Sequence, residues 1–311
     1  MPPRQHLLWA CAPSYGRWPG RRWPVRPGRY DRPMPEKDGQ GDPGPRADRK
    51  TVDLDTAHAH SARVYDYWLG GKDNFAADRE AAEQALAANP GIAADARANR
   101  LFLARVVRFL ASECGIRQFL DIGTGLPPAS NTHEIAQAAA PQARVVYVDS
   151  DPIVLLHAKA LLTSAHPGSV AYLDADLRDT QTILRQAAQT LDFGQPIALM
   201  LLIILHMIAD TDDPYGIVST LVNALPSGSY LVLAHPASDI RPANMAEMTR
   251  RVNERMGGPR ATMRDRAAIT HFFDGLQLLE PGVVQPQQWQ PEPGVRSPSQ
   301  VTAWCGVAQK R

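Results

Sequence analysis

A glycine-containing turn after an apolar segment is the part of the sequence best suited to bind a nucleotide. The segment FLDIGTGLPP, residues 119–128, places Asp121, Gly123 and Gly125 at alternate positions. In a doubly wound sheet a nucleotide sits beyond the carboxyl end of the first strand, where glycines let the backbone approach it closely. A lone Gly-x-Gly pattern is weak evidence, but two neighbouring residues make it more specific.

These two residues indicate which nucleotide the turn would hold. Pro128 occupies the third position of the dinucleotide fingerprint, where close helix packing requires glycine or alanine, and this counts against NAD and FAD. Asp121 would repel a pyrophosphate but could pair with the ammonium group of S-adenosyl-L-methionine. The charge therefore favours S-adenosyl-L-methionine as cofactor, and an NAD(P)-dependent oxidoreductase is the less favoured alternative.

Carboxylates also follow the next two predicted strands. Asp149 ends RVVYVD, 26 positions beyond Gly123 and near the ~20 positions expected of an acidic residue that binds ribose hydroxyls. Its structural alternative is that Asp149 or Asp151 caps the helix beginning at Pro152. Asp176 ends the third strand, where we expect it to accept from an adenine amino group while Leu177 packs on the ring. An N-cap or a solvated turn is the alternative for Asp176.

Histidines are the candidate bases for a reaction at this edge. His206 ends the predicted fourth strand, LMLLIILHMI, where a methyl acceptor would approach and where histidine could act as a general base. A lone histidine at a strand end is also commonly a hydrogen-bonded wall residue. His235, at the end of the next strand, is the weaker candidate. Met245, Met248 and Met256 could line an acceptor pocket, but their helical spacing favours packing.

Alternating strand and helix patterns would position these residues. Strands are predicted at residues 118–122, 144–148, 170–173, 196–205 and 229–233, with helical segments between them. Strands rich in Val, Ile and Leu that alternate with helices indicate a parallel sheet covered on both faces, a doubly wound α/β fold. Two neighbouring strands at the end of the chain predict an antiparallel edge pair.

The remaining segments differ from this core in composition. The N-terminal stretch is crowded with Pro, Arg and Gly and lacks the apolar periodicity needed for collapse. A solvated leader is the favoured interpretation over a basic tail that contacts nucleic acid. We therefore divide the chain into a disordered leader (1–55), an N-terminal helical lid (56–117) and a core (118–311) with a cap insertion at about 237–266.

Composition limits the partners. The 33 basic and 32 acidic residues nearly cancel, so no global field draws the protein to nucleic acid or anionic lipid. Cys11, Cys114 and Cys305 lack metal-ligand spacing, which predicts no metal site and favours a reducing cytoplasm. The longest apolar run is far shorter than the ~20 residues of a spanning helix. We expect a cytoplasmic protein with a small-molecule partner.

Several strings together resemble an actinobacterial family of S-adenosylmethionine-dependent methyltransferases once catalogued as a domain of unknown function. They are YDYWLGGKDNFAADREAAE, FLDIGTGLPP, VVYVDSDP, DADLRD and FFDGLQLLEPGVV, and they span roughly residues 55–310. The first string is the specific one, because the Asp-x-Gly-x-Gly turn occurs across class I methyltransferases. The resemblance implies a Rossmann-like class I sheet of strand order 3-2-1-4-5-7-6 with the last strand antiparallel.

The resemblance also implies roles for individual residues. Cofactor binding would fall to Asp121, Gly123, Gly125, Asp149 and Asp176, and a lid over the cofactor or acceptor to Tyr65, Lys72, Asp73 and Asn74.

A polar and aromatic string around Gly70 and Gly71 has little reason to be core, which agrees with a lid. Its alternative is a rigid helix start, in which Asp73 or Asn74 caps the next helix.

One departure concerns the acceptor. The fourth strand ends in His-Met-Ile, whereas amino methyltransferases of nucleic acids use an acidic or Asn-Pro-Pro-Tyr pattern. This weakens a base-methylating assignment. The sequence thus predicts methyl transfer from S-adenosyl-L-methionine to an unidentified acceptor, with a non-catalytic S-adenosylmethionine-binding regulator as the alternative.

Overall fold

The structure, a computed structural model, describes residues 55–126, 131–161, 169–256, 260–291 and 300–311, and the side chains of 157–161 are not described. The predicted leader, apart from Asp55, and Pro128 lie outside these residues. The described residues belong to one compact unit. None of the described helices combines the length and apolar character that crossing a bilayer requires.

The described residues form a seven-stranded sheet in the order β3-β2-β1-β4-β5-β7-β6. The strands β1 to β5 run parallel, and β7 runs antiparallel to both β5 and β6. This confirms the predicted doubly wound fold and its antiparallel edge. The strands are β1 (Gln118–Ile122), β2 (Arg144–Asp149), β3 (Val170–Asp174), β4 (Ala198–Leu202), β5 (Tyr230–Pro236), β6 (Gln277–Leu278) and β7 (Ala303–Gln309).

Helices cover both faces of this sheet, as the burial of the two central strands shows. All five residues of β1 and of β4 are buried, so neither face of these strands meets solvent. Alternate residues enter different layers, with Leu120 in one core cluster and Phe119 in the other. The helices are α1 (Ser61–Trp68), α2 (Ala76–Ala88), α3 (Ile92–Ser112), α4 (Thr132–Ala139), α5 (Pro152–Leu161), α6 (Thr180–Ala187), α7 (Pro214–Asn223), α8 (Pro242–Asn253) and α9 (Arg266–His271).

The additional N-terminal helices pack against two different parts of the protein. The predicted apolar face of α3 packs on the sheet, where Phe102, Val106 and Leu110 are fully buried. By contrast, α2 packs against α8 of the cap insertion, and Asn244 Nδ2 donates to the Ala88 carbonyl at 2.7 Å. The N-terminal helices and the insertion therefore share one cover over the edge of the sheet.

Two strand boundaries differ from the prediction. The chain leaves β4 at Leu202, because Ile203 takes a left-handed backbone conformation (φ 56°) and a short 3-10 helix follows at Leu205–Met207. His206 therefore lies in a turn beyond the strand. The next strand is longer than predicted, and His235 lies inside β5, opposite Trp304 of β7.

The predicted cap of α2 is also wrong. Phe75 precedes the first helical residue, and the Asp78 carboxylate accepts from the Phe75 N–H at 2.8 Å. Asp78 also forms a fully buried ion pair with Arg63 at 3.1 Å. The Asp78 carboxylate, within the first turn, thus accepts from a backbone N–H group at the start of the helix. Asp73 and Asn74 do not cap it.

Candidate active site

A cavity of about 240 Å³ lies at the carboxyl ends of β1 to β4, beneath α1 and α8. This is the edge at which doubly wound sheets bind ligands. Acidic side chains outnumber basic ones in its wall. The polar residues that line it include His60, Tyr65, Asp95, Asn99, Arg100, Asp121, Asp149, Asp176, Arg178 and His206.

The glycine turn after β1 forms the floor of this cavity. Gly123 has φ 77°, and a Cβ there would lie 2.4 Å from Ile204, so a side chain is excluded by conformation and by space. Gly125 has φ 65°, and the nearest atom to its missing Cβ is Ala62 Cβ at 4.0 Å. Gly123 therefore lets the loop after β4 pack closely against the turn, and Gly125 leaves the turn open toward the cavity.

Asp121 is a buried carboxylate beside this turn. Only 5% of the residue is exposed, and Oδ2 accepts from the Thr132 hydroxyl at 2.6 Å. Burial raises its pKa to about 6, although the Thr132 hydrogen bond and Arg100 act to lower it. A carboxylate in this state gains from a nearby cation, because a cation would stabilise the charge that burial disfavours.

Asp149, the last residue of β2, faces the same turn. Its Oδ2 accepts from the Gly125 N–H at 2.8 Å and its Oδ1 from the Asp151 N–H at 3.0 Å. Burial raises its pKa, and both hydrogen bonds oppose that rise. The helix cap is Asp151, whose Oδ1 accepts from the Ile153 N–H at 2.8 Å. The alternative in which Asp149 caps α5 is therefore wrong.

Asp176 and Leu177 lie at the end of β3 on the cavity wall. Leu177 is buried in the core, whereas Asp176 is exposed and accepts from the Arg178 guanidinium at 3.1 Å. Arg178 also donates to Asp212 at 2.9 Å, which joins this turn to the loop after β4. Asp176 thus keeps hydrogen-bonding capacity at the rim.

The two histidines occupy different environments. Half-buried His206 lines the cavity, its Nδ1 has no hydrogen-bond partner among the described residues, and burial lowers its pKa to about 4. Fully buried His235 is held by Arg264 Nη1, 2.9 Å from Nε2, and by the Pro236 carbonyl, 2.8 Å from Nδ1. Burial lowers the pKa of His235 to about 3. His235 is a structural residue, and His206 faces the cavity as a neutral imidazole.

Comparison with known proteins agrees with this geometry. The model of the S-adenosyl methyltransferase family matches residues 47–311, most of the chain. The chain belongs to this family. It is an S-adenosylmethionine-dependent methyltransferase, which decides against the oxidoreductase alternative.

Two solved structures are similar over most of this methyltransferase. A DUF574 family protein from Streptomyces avermitilis is 44% identical with a TM-score of 0.78, over 83% of this chain and 99% of that one. A candidate methyltransferase from Thermobifida fusca is 40% identical with a TM-score of 0.76, over 85% of this chain and 100% of that one. Among curated proteins, none matches.

The residues of the site fit the cofactor of this family. Gly125 leaves space above the turn, and Asp121 and Asp149 supply negative charge beside it. S-adenosyl-L-methionine carries an ammonium group, a sulfonium and two ribose hydroxyls, which are the groups that such carboxylates bind. The cavity wall therefore has suitable partners for the polar groups of the cofactor.

The predicted lid residues are not all at the cavity. Tyr65 lines it, and its hydroxyl accepts from Asn99 Nδ2 at 3.0 Å. Lys72, Asp73 and Asn74 are absent from the lining and lie in a turn organised by Asp66.

The Asp66 carboxylate holds that turn from within the same string. It accepts from the Asp73 N–H at 3.0 Å and from Asn74 Nδ2 at 2.9 Å. A Cβ on Gly71 would lie 1.9 Å from Asp66 Oδ1, so the glycine leaves room for this carboxylate. The specific string thus encodes a compact turn.

Three polar residues in the N-terminal half of α3 also line the cavity, and the sequence analysis missed them. They are Asp95, Asn99 and Arg100. Asp95 and Asn99 are spaced by one helical turn and are 6% and 5% exposed. Polar residues at this spacing on the apolar side of a predicted helix are a signal that could have found them.

Methionines form an apolar part of the cavity wall. Met248 and Met256 line the cavity, together with Met207 and Met263, and Trp68 lies beside them. Met245 is not part of the lining and packs in the cluster behind with Ala85 and Ala88. The helical spacing of the methionines serves packing and also presents an apolar surface to the cavity. We call this wall, formed by Trp68, Met207, Met248, Val252, Met256 and Met263, the methionine wall.

Proposed function

We propose that the methyltransferase acts on a small-molecule acceptor bound between the glycine turn and the methionine wall. The observation that carries this proposal is the cover over the site: α1 and α8 overlie the carboxyl edge, and the cavity between them is about 240 Å³. A cavity of this kind suits a compact ligand. The nearly balanced charge of the chain gives no support for a nucleic-acid acceptor.

Within this proposal the sheet edge binds the cofactor. Asp149 accepts from the ribose hydroxyls, Asp121 pairs with the ammonium group, and Asp176 and Leu177 hold the adenine. The open backbone at Gly125 allows close approach. When bound, S-adenosyl-L-methionine supplies a methyl group activated by its sulfonium.

The protein's main task is then to align the acceptor with that methyl group and to exclude water. Alignment of two reactants can lower a barrier by ~7–11 kcal/mol in favourable cases. The cover formed by α1, α2 and α8 encloses the acceptor, and the methionine wall adapts to its shape. Orientation, which needs no catalytic base, carries most of the rate enhancement.

His206 is positioned to contact the acceptor. With a pKa lowered to about 4 it is neutral at pH 7 and is a weak base. Its Nδ1 is buried and has no hydrogen-bond partner among the described residues, so in the neutral imidazole it can accept a hydrogen bond. His206 therefore receives a hydrogen bond from the acceptor and orients its nucleophilic atom.

Calorimetric titration tests the cofactor half of the proposal. We expect S-adenosylmethionine and S-adenosylhomocysteine to bind and NAD not to bind. Asp149→Ala should weaken S-adenosylhomocysteine binding by at least about tenfold, because a charged hydrogen-bonding partner is lost. Asp174→Ala is the matched control, since Asp174 pairs with Asp149 in the sheet but is exposed and outside the cavity lining. Equal affinity in both variants would remove Asp149 from the cofactor site.

Methyl labelling tests the acceptor half. The protein is incubated with a cell extract and methyl-labelled S-adenosylmethionine, and the products are separated on a membrane that retains macromolecules. We expect label in the filtrate, and less of it with Asp149→Ala. Label confined to retained protein or nucleic acid would overturn the small-molecule assignment.

A further inference from the structure

Asp95 on α3 is a buried carboxylate at the cavity wall with one oxygen unused. We propose that the acceptor carries an ammonium group on an apolar body and that Asp95 binds this ammonium, which has no lone pair and is therefore not the atom that is methylated. This step rests on the proposed function because it assigns the substrate class of the same cavity. Three features indicate the chemistry of the ligand: oxygens without a hydrogen-bond partner, the hydrogen-bond network around them, and the methionine wall.

The contacts of Asp95 leave Oδ1 without a hydrogen-bond partner among the described residues. Its Oδ2 accepts from the Thr302 hydroxyl, and the residue is 6% exposed. A buried carboxylate oxygen without a donor is costly, and natural structures retain such groups where a ligand or a function needs them. Asp95 therefore keeps one oxygen that forms no hydrogen bond with the described residues, although Asn89, Thr302 and Arg241 act to lower the pKa of the carboxyl.

Asn99 adds a second acceptor one helical turn along α3. Its Nδ2 donates to the Tyr65 hydroxyl at 3.0 Å, and that hydroxyl donates to the Ala96 carbonyl at 3.1 Å. With its donor committed to Tyr65, Asn99 still has an Oδ1 atom that lacks a partner among the described residues. Two acceptor oxygens on one helix face call for a ligand that brings N–H donors, and a primary ammonium has three.

The hydrogen-bond network of Asp95 connects it to the cover and not to the glycine turn. Asn89 Nδ2 donates to Thr302 Oγ1 at 3.3 Å and lies 3.5 Å from the sulfur of Met245 on α8. Asp121, in contrast, is tied to Thr132 on α4. The two carboxylates thus lie in separate hydrogen-bond networks, and we assign Asp95, whose network reaches α8, to the acceptor. We call the part of the wall around Asp121 and Asp149 the cofactor half of the cavity, and the part around Asp95 and Asn99 the acceptor half.

Charge favours an ammonium over a neutral donor. Burial raises the pKa of Asp95, and hydrogen bonds and Arg241 oppose that rise only in part. A cation at Oδ1 would stabilise the ionised carboxylate, which a hydroxyl group does less well. An anionic acceptor would meet repulsion at this position.

The rest of the acceptor is assigned by the methionine wall. Met248 and Val252 on α8, with Met256, Met263 and Trp68, present thioethers, an isopropyl group and an indole to the space. Methionine makes favourable contacts with aromatic rings and adapts to irregular shapes. An aromatic or aliphatic body with one amine fits this combination.

Binding of three matched probes to wild-type protein tests the charge preference. The probes are 2-phenylethylamine, 2-phenylethanol and 3-phenylpropanoate, titrated by ligand-observed NMR with and without saturating S-adenosylhomocysteine. We expect the amine to bind at least about tenfold more tightly than the alcohol and the acid. Equal or tighter binding of the alcohol or the acid would overturn the proposal without any variant.

The variant Asp95→Asn tests the residue. It keeps the shape and the Thr302 partner but removes the charge, so the amine should lose its advantage over the alcohol while S-adenosylhomocysteine affinity stays unchanged. Glu113→Gln is the control, because Glu113 is an exposed carboxylate just beyond the far end of α3. Thermal unfolding checks that Asp95→Asn is folded, and retained discrimination in a folded variant would overturn the assignment.

The two proposals fail in different ways. If S-adenosylhomocysteine does not bind, the cofactor assignment fails whatever the amine does. If it binds and the amine shows no preference, only the acceptor class is wrong.

Discussion

The two halves of the cavity differ in how their polar groups are satisfied. In the cofactor half, Asp149 accepts from two backbone N–H groups and Asp121 from Thr132, so the carboxylates are already oriented. In the acceptor half, Asp95 and Asn99 each keep an oxygen without a partner among the described residues. One half is therefore organised in advance, whereas the other keeps hydrogen-bonding capacity for its ligand.

The origin of this difference lies in the elements that supply the residues. Strand ends and the glycine turn place the cofactor half through backbone geometry, which the sheet fixes. The acceptor half is built from side chains of α3 and α8, which lie far apart in the sequence. A helix face can change its side chains without altering the fold, so this half is suited to determine specificity.

Gly123→Ala should produce the largest effect and tests how rigid the cofactor half is. The new Cβ would lie 2.4 Å from Ile204 on a backbone with φ 77°. We expect a loss of roughly 2–5 kcal/mol in unfolding free energy, from the left-handed conformation and from overpacking together. Cofactor affinity should fall with it. Urea unfolding and S-adenosylhomocysteine titration measure both quantities.

Gly115→Ala separates the two causes. Gly115 has a similar φ of 71°, but nothing lies within 4 Å of its missing Cβ. This control should lose only the conformational part, about 1–2 kcal/mol, and keep full cofactor affinity. Equal destabilisation by the two substitutions would mean that the Ile204 contact adds no strain at Gly123.

The arrangement of residues in the cofactor half could be predicted from the sequence because its signals are local. An apolar strand followed by Asp-x-Gly-x-Gly fixes Asp121 and both glycines at one turn, and the parallel sheet brings Asp149 to it. The strand order was expected from the family resemblance, and the structure confirms it. Periodicity alone indicated a doubly wound fold but not this order.

The acceptor half could not be predicted in the same way. The helical spacing of Asp95 and Asn99 marks two polar residues on a buried face, but the role of Asp95 becomes informative only when Thr302, from the other end of the chain, approaches it. The position of His206 depends on the left-handed backbone at Ile203, which a β-branched residue gives no reason to expect. The structure of this region depends on long-range contacts and on one unusual backbone conformation, and hydrophobic periodicity predicts neither.

The pH dependence of cofactor binding tests whether Asp121 meets a cation. Its pKa is raised to about 6 in the ligand-free protein, so the carboxyl is protonated below that pH and cannot pair with an ammonium. If the ligand returns this pKa to an ordinary value, affinity for S-adenosylhomocysteine should rise about tenfold from pH 5 to pH 7. Calorimetry in buffers of different ionisation enthalpy should detect proton release near pH 6.

The raised pKa of Asp121 affects folding stability in the opposite direction to cofactor affinity as the pH rises. A carboxyl whose pKa is higher in the folded protein than in the unfolded chain stabilises the fold at low pH, so this contribution is lost as the pH rises from about 4 to about 6.

Asp121→Asn should flatten the affinity profile between pH 5 and pH 7. A profile that stays as steep would assign the titration to another group, such as Asp149, whose pKa burial also raises.

The smallest effect is expected at the turn after α1, where the family resemblance implied a lid. Lys72 is exposed and is not part of the cavity lining, so Lys72→Ala should change stability by no more than about 0.5 kcal/mol. Acceptor KM and cofactor affinity should stay within about twofold, because a screened surface charge contributes little.

Tyr65→Phe, in the same string, is the positive reference. Tyr65 lines the cavity, and this substitution removes the hydroxyl that accepts from Asn99, so it should raise the acceptor KM. If Lys72→Ala instead raises KM as much as Tyr65→Phe does, the turn must close over the bound acceptor. The acceptor half would then include a moving segment as well as the faces of α3 and α8.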